Sequence, residues 1–372
     1  MPAGHTGAAV LTRVVPTVCV AVLALAPGAS GSAEDAAGGG NAVDTDAAVV
    51  DAVVVADPRL SESSALAVSP RDPDLLYTVN DSGHAPVVFV VDRSGGADSQ
   101  VVGTTSLAGL DSPDLDPEAI AVAGDVLWVA DIGDNGADRT DIALYALPAP
   151  GRGTATVRPE HYPLAYPEGL RDDAEALVAD PASARMWVVT KGWLSGSVFE
   201  VPDPLVPDRV NRLRPLRGVE VPLLVTDGTA LPGYDAAVLR TYVGAHVYTL
   251  PGWERAGSFG LPRQEQGEAL TALPGDAGLL AGSEGTPTRI DRVRPPSALL
   301  TELKQRQQDI ESRSTPGSGS TDDDDADRPG SGRPGADESG AAPSVALLAA
   351  GTVVMAGSAA AGLALVVRRR RR

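Results

Sequence analysis

Five times along this chain the same order recurs: a short apolar run, a turn, a second apolar run ending in a polar cluster, and a third run. The stretch Leu115–Pro150, LDPEAIAVAGDVLWVADIGDNGADRTDIALYALPAP, shows the unit whole. Stacked by their punctuation, the units read ESSALAVSP, LLYTVNDSG, VVFVVDRSG; DPEAIAVAG, VLWVADIGDNG, IALYALP; DAEALVADP, RMWVVTKGW, SVFEVP; TDGTALPGY, AAVLRTYVG, AHVYTLPG; and QGEALTALPG, AGLLAGSEG, TRIDRV. Apolar runs this short, set between Gly, Pro, Asp and Asn, are strands rather than helices. Repetition in fixed order means one supersecondary unit stacked against its neighbours. Candidate fourth strands lie between units, as SQVVGTTSL, TATVRPEHY, RLRPLRGVEV and ERAGSFGLP. The fifth unit lacks one, and a spare strand, AVVDAVVVA at 48–56, precedes the first.

The pattern predicts an all-β fold, a β-propeller of five four-stranded blades over residues 48–300. The N-terminal strand would complete the last blade and close the ring, leaving only short, protected edges. A sixth, degenerate blade could hide in 92–110 or 201–225. A sandwich does not account for the five-fold repetition.

The flanks read differently. Residues 1–33 carry Arg13, an apolar run Val14–Ala26 and small residues at Ala29 and Ala33, the layout of a secretory signal peptide. Cys19, the single cysteine, lies inside that run, so no disulfide within one chain holds the domain. It also lacks the small-residue context of a lipidation site. Residues 34–47 are Ala/Gly/Asp-rich and predicted disordered. After the propeller, 301–313 (TELKQRQQDIESR) predicts a short polar, exposed helix, and 314–342 a Ser/Gly/Pro/Asp-rich linker too poor in apolar residues to fold. Its Asp322–Asp325 run reads as solvated linker charge. The segment 343–367 predicts a transmembrane helix, since Val345–Val367 is free of charge and long enough, at about 34 Å, to span a bilayer. Arg368–Arg372 follows at once and would stay cytoplasmic. The expected topology is therefore a type I single-pass plasma-membrane protein with the propeller outside.

With 30 Lys+Arg against 49 Asp+Glu, the formal net charge is −19. That excludes a nucleic-acid surface, which is basic, and favours cations or cationic ligands. Propeller blades run outward from the axis as antiparallel meanders. The start of each innermost strand and the end of each second strand therefore share one face. At the first place stand Glu62, Glu118, Glu175, Asp227 and Glu268; at the second, Asn80 and Asp81, then Asp131, Asp134 and Asn135, then Lys191, Arg240 and Glu284. Acids in register around one mouth point either to a shared structural role, since Asp, Asn and Gly also cluster in turns, or to a shared site. Crowded carboxylates repel unless paired or bound to a cation, and oxygen-rich sets suit Ca²⁺. The candidate metal ligands are accordingly Glu62, Glu118, Asp131, Asp134, Asn135, Glu175, Asp227, Glu268 and Glu284. Lys191, Arg240, Asn80 and Trp193 are candidates for binding a ligand, and Glu118 and Glu175 for acting as general bases.

Other signals are weaker. His84, His161 and His246 are scattered, without metal-ligand spacing, and read as loop or surface residues. No G-x-S-x-G elbow, P-loop or G-x-G-x-x-G occurs. Trp128 and Trp187 occupy matching second-strand positions and read as blade packing.

Taken together, ESSALAVS, LYTVNDSG, DPEAIAV, LWVADIGDN, DAEALV, MWVVTK, LRTY, QGEAL and SEG resemble the motifs of an uncharacterised group of secreted bacterial β-propeller proteins, over roughly residues 50–295. Where that group often has Trp, this chain has Pro117, with the acid Glu118 retained. More distantly the chain is similar to phytase-like, esterase-like and gluconolactonase-like propellers, several of which hold axial Ca²⁺. That resemblance implies a metal-assisted hydrolase, although fold-level likeness does not carry activity. Two functions stay open. One is a surface-anchored propeller binding a small-molecule, metal or protein ligand on its acidic face. The other is a Ca²⁺-dependent hydrolase of phosphoesters, esters or lactones, with Lys191 and Arg240 holding an anionic group.

Overall fold

The computed structural model describes residues 47–314, apart from 111–114, 137–138, 168, 193 and 276–277. The expected signal peptide, most of the segment 34–47, the linker, the membrane span, the basic tail and Trp193 lie outside the described residues. Among the described residues no helix is long and apolar enough to cross a membrane.

The chain builds five antiparallel meanders around an axis. Strand β1 (Ala48–Val55) is set aside for the last blade. Blade 1 is β2 (Ser63–Val68), β3 (Leu75–Asn80), β4 (Val87–Asp92) and β5 (Gln100–Leu107). Blade 2 is β6 (Pro117–Ala123), β7 (Val126–Asp131) and β8 (Ile142–Pro148); β9 (Gly153–Val157) then turns back to pair with β5, and β10 (Glu160–Ala165) completes the blade. Blade 3 is β11 (Ala174–Ala179), β12 (Met186–Thr190) and β13 (Val198–Glu200); β14 (Asn211–Arg212) reaches back to β10, and β15 (Arg214–Pro215) closes blade 3. Blade 4 is β16 (Val225–Leu231), β17 (Ala236–Thr241), β18 (Gly244–Thr249) and β19 (Glu254–Gly260). Blade 5 is β20 (Gly267–Ala272), β21 (Leu279–Ser283) and β22 (Thr288–Arg294), with β1 as its outermost strand.

The five-blade reading and its N-terminal closure are both present: Ala48 lies opposite Arg294 and Val55 opposite Thr288. Two fourth-strand assignments differ: in RLRPLRGVEV, Arg212 belongs to the strand that pairs with β10, and only Arg214–Pro215 closes blade 3. TATVRPEHY is two strands, because Pro159 breaks the run and sends its halves to different blades. Blade 1 gains a fifth, parallel strand in β9, and blade 2 gains one in β14.

Inner strands such as β2 and β3 are buried along their whole length, because both faces meet a neighbouring blade. An apolar core therefore fills each gap between blades. Tyr77, Val79, Ile120 and Leu127 lie between blades 1 and 2, and Ile132, Leu144, Leu177 and Phe199 between 2 and 3. Trp187, Val225, Tyr248 and Trp253 lie between 3 and 4. Trp187 thus packs between blades as its position predicted, edge-on to Trp253.

Helix α1 (Ser297–Ser314) starts four residues before the polar stretch that predicts it. It is not a purely exposed helix. Leu299 and Leu303 are buried in the core between blades 4 and 5. Lys304 donates to the Gly233 carbonyl and sits over the Tyr234 ring, while Gln307 donates to Asp235. The helix is bolted to the β16–β17 turn, on the face opposite the acidic mouth.

Candidate functional site

All five pairs of innermost strands slip register at the same place, between Ser63 and Ala65, Pro117 and Ala119, Ala174 and Ala176, Val225 and Asp227, and Gly267 and Ala269. The residue left out of register in each blade is Ser64, Glu118, Glu175, Thr226 or Glu268. A β-bulge frees one residue from the ladder and re-aims its side chain. Here it does so once per blade around the axis. Where the bulge carries a hydroxyl, it ties blades together: Ser64 Oγ donates to the Pro117 carbonyl at 2.9 Å and Thr226 Oγ1 to the Gly267 carbonyl at 3.2 Å. Where it carries a glutamate, a carboxyl stands at the mouth.

Two further rings surround this one. Two residues ahead of the bulge stand Glu62, Asp116, Asp173, Leu224 and Gln266. Just beyond β3, β12, β17 and β21 stand Asp81, Lys191, Tyr242 and Glu284. Backbone bonds lock the rings together, as in Asp81 N–H to the Glu62 carbonyl, Lys191 N–H to Asp173 and Glu284 N–H to Gln266. Blade 2 departs: the donor to the Asp116 carbonyl is Gly133. A Cβ there would lie 2.5 Å from Asp116 Oδ2 and 2.7 Å from Glu118 Oε1, so the bare glycine makes room for both carboxyls.

The result is an acidic well. Asp81, Asp116 and Glu118 each offer an oxygen within 4.8 Å of the others, and Glu118, Asp173 and Glu175 do the same. Glu118 belongs to both triplets. It is buried, accepts no hydrogen bond from any described residue, and is pushed well above the usual carboxylate range by burial and then by Glu175, Asp81, Asp116 and Asp173. Burial, with Asp81 alongside, raises Asp116 to about 7, and its Oδ1 is buried without a partner. Burial raises Glu175 to about 8 despite Lys191, whose Nζ donates to Glu175 Oε1 at 2.7 Å. Burial opposes the Lys191 ammonium, yet Glu175 holds it charged. Across the mouth, Glu284 is raised to about 10 by burial and by Glu268, which accepts from Tyr242 Oη at 3.0 Å. An orphaned acceptor, a glutamate without a donor among the described residues and a cradle opened by glycine fit a bound cation, and this buried acidic cluster could hold a metal ion.

Other residues singled out by sequence have different partners. Asp131 pairs with Arg139 at 2.7 Å and accepts the Asp116 N–H, so it shapes the loop beneath the well. Asp134 accepts the Arg139 N–H and gives its own N–H to Asp173; Asn135 lies in an exposed turn. Asp227 is buried and accepts from the Gly228 and Leu270 N–H groups, anchoring blade 4 to blade 5. Arg240, 1% exposed, donates to the Ala269 and Gly282 carbonyls and to Gln264, so it pins β20 to β21 rather than facing a ligand. Asn80 holds the segment before β2 by donating to the Arg59 carbonyl. Glu62 sits apart from both triplets and turns to His84. Asp116 and Asp173 were absent from the sequence-derived set, although D-x-E occurs in both DPE and DAE; Tyr242 had no such signal.

No family model matches the chain, and no curated protein matches it in sequence. Among solved structures it is similar to hydrazine synthase of Kuenenia stuttgartiensis, at 15% identity and TM-score 0.32, covering 50% of this chain and 48% of that one. It is similar to a putative 6-phosphogluconolactonase from Bacteroides uniformis, at 15% identity and TM-score 0.32, covering 62% and 66%. It is also similar to an auxiliary nutrient binding protein from Bacteroides thetaiotaomicron, at 12% identity and TM-score 0.37, covering 63% and 69%. The chain thus spans about half of the first protein's length and about two thirds of the other two. Likeness this distant assigns no activity, and the propeller rests on its own strand pairing.

Proposed function

We propose that this chain is a membrane-anchored, extracellular propeller that captures a ligand at its acidic mouth through bound Ca²⁺. The observation that carries the reading is Glu118, a buried carboxyl shared by two oxygen triplets and given no donor by any of the described residues. Ca²⁺ takes oxygen ligands at about 2.3–2.6 Å, so ligands across one ion lie up to about 5 Å apart, and the oxygens of each triplet all lie within 4.8 Å of one another. Oxygens of the ligand would complete the coordination.

The rim adds an apolar element. Leu170 and Leu223 precede β11 and β16, while Leu194 and Val243 follow β12 and β17, so all four belong to loops on the mouth side; Leu194 is 93% and Val243 82% exposed. A ligand with oxygen donors and an apolar portion suits this combination. Lys191, held charged at the edge of the well, favours an anionic group, which also keeps open a Ca²⁺-dependent hydrolase of phosphoesters, esters or lactones.

Titration calorimetry of the full-length protein with Ca²⁺ is the test. A saturable heat with uptake near one ion, lost in Glu118→Gln, is expected. The absence of heat, together with an unchanged melting temperature in Ca²⁺, would overturn the proposal.

A further inference from the structure

Away from the well, one stretch of surface runs against the charge of the whole chain. Residues 206–217, VPDRVNRLRPLR, carry four arginines and one acid in a chain of net charge −19. The stretch crosses from blade 2 to blade 3 along the outer rim. Strand β14 lies against β10 and β15 against β13, each at the outer end of its sheet. The well is built on innermost strands, so the two places share no residue.

Side chains along this stretch alternate, as strand residues do. Asn211 and Leu213 are buried, Leu213 in the core between blades 2 and 3, while Arg212 and Arg214 are exposed. Asn211 also fixes the turn before them. Its Oδ1 accepts the Val206 N–H at 2.9 Å, and its Nδ2 donates to the Val206 and Arg209 carbonyls at 3.1 and 2.7 Å. Held from within by this amide, the turn presents Val206, Arg209 and Val210 to solvent, Val210 being 61% exposed.

These arginines are not used up by internal pairs. Elsewhere on the surface Arg59 pairs with Asp57, Arg71 with Asp125 and Arg152 with Asp92. On this rim Arg214 reaches Glu200 only at 4.0 Å, and Arg209, Arg212 and Arg217 pair with no described acid. The one carboxylate of the stretch, Asp208, faces His161 at 3.5 Å. Unpaired guanidinium groups beside exposed valines fit a partner that is anionic and borders an apolar phase. A soluble polyanion offers only the first. A phospholipid surface offers both, with phosphates for the arginine forks and an acyl boundary for the valines.

We propose that this rim docks on anionic phospholipid headgroups, so that the propeller lies edge-on against a bilayer. The inference takes from the preceding section only that the propeller stands beside a membrane, and it uses neither Ca²⁺ nor the well. Phosphates meet Arg209, Arg212 and Arg217, while Val206 and Val210 sit at the acyl boundary. Edge-on docking leaves the mouth open at the side.

The test keeps the full-length chain, in EDTA, with Cys19→Ser and a fluorescent dye on Val210→Cys, and adds vesicles carrying a headgroup quencher. The dye is expected to be quenched by vesicles containing phosphatidylglycerol, little by pure phosphatidylcholine, and less as salt is raised. The same dye on Val49→Cys, in the outermost strand of blade 5, should stay unquenched by both. Arg209→Gln, Arg212→Gln and Arg217→Gln together should lower the docked-to-free ratio by about 100-fold, at roughly five-fold per arginine. Their melting temperature should match the parent's. Vesicle flotation of this triple variant reads the membrane anchor alone, so a failure of anchoring and a failure of docking are told apart. Equal quenching in both lipids, equal quenching at Val49, or quenching that survives the triple variant would each overturn the proposal. So would a rim that responds to soluble polyphosphate and not to the vesicles.

Discussion

Removing divalent cations should make this protein less stable as the solution is taken from mildly acidic to neutral. Asp116 moves from 3.8 to about 7 on folding and Glu175 from 4.5 to about 8. Between the unfolded and folded values the native state keeps protons that the unfolded chain has released. Stability changes with pH as the protons bound by the unfolded state minus those bound by the native state. That difference is negative here, so stability falls as pH rises through this window. Each retained proton is worth about 1.4 kcal/mol per pH unit, so these two groups give a ceiling of about 4 kcal/mol between about pH 5.5 and 7. For a ring of this size that corresponds to a drop on the order of 10 °C in melting temperature. A cation replaces the protons as the neutralising charge, so saturating Ca²⁺ should flatten the dependence. Glu118→Gln removes the carboxyl shared by both oxygen triplets and should weaken the Ca²⁺ response. Thermal melts by circular dichroism in EDTA and in Ca²⁺, across that range, read all of this. A melting temperature that is level or rising toward neutral pH in EDTA would refute the electrostatic account of the well.

Gly133→Ala puts a methyl 2.5 Å from Asp116 Oδ2; we expect about 1–3 kcal/mol of destabilisation and at least a ten-fold weaker Ca²⁺ affinity by calorimetry. Arg240→Met strands the Ala269 and Gly282 carbonyls and should cost about 3 kcal/mol in urea melts while leaving Ca²⁺ affinity unchanged. A loss of Ca²⁺ or ligand binding without a loss of stability would instead place that arginine at the site. Leu303→Ala, in the core between blades 4 and 5, should cost about 2–5 kcal/mol, far beyond what an exposed helix would show.

The ring was legible because each blade repeats the same apolar runs and turn residues, and because a spare strand stood at one end and a missing one at the other. Glu118 and Glu175 were legible for the same reason, since their bulges hold the residue that the repeat suggests. Glu268 was legible too, at the bulge of blade 5, but the acids expected of blades 1 and 4 were not. The repeat groups Glu62 and Asp227 with them, but the bulges of blades 1 and 4 hold Ser64 and Thr226, one or two residues away. A register slip of one residue turns a side chain from the mouth to the interior, and no residue type announces it. Arg240 was misleading in a related way: Gly267 leaves space that lets its guanidinium turn inward, and a glycine a blade away is no signal in sequence.

Strand β1 has a further consequence, for how the chain reaches its native state. Its partner β22 is nearly the whole ring away in sequence, so this pairing is the longest loop closure in the fold and the last to be repaid. Until then AVVDAVVV is a valine-rich segment with both edges open, the kind that joins to copies of itself. Asp51 interrupts it. In the finished ring that residue makes only a 3.5 Å surface pair with Arg292, at a break in the strand register, a contact worth little to stability. Its larger effect falls on the chain still waiting to close, where one charge in the middle of the valines keeps waiting copies apart.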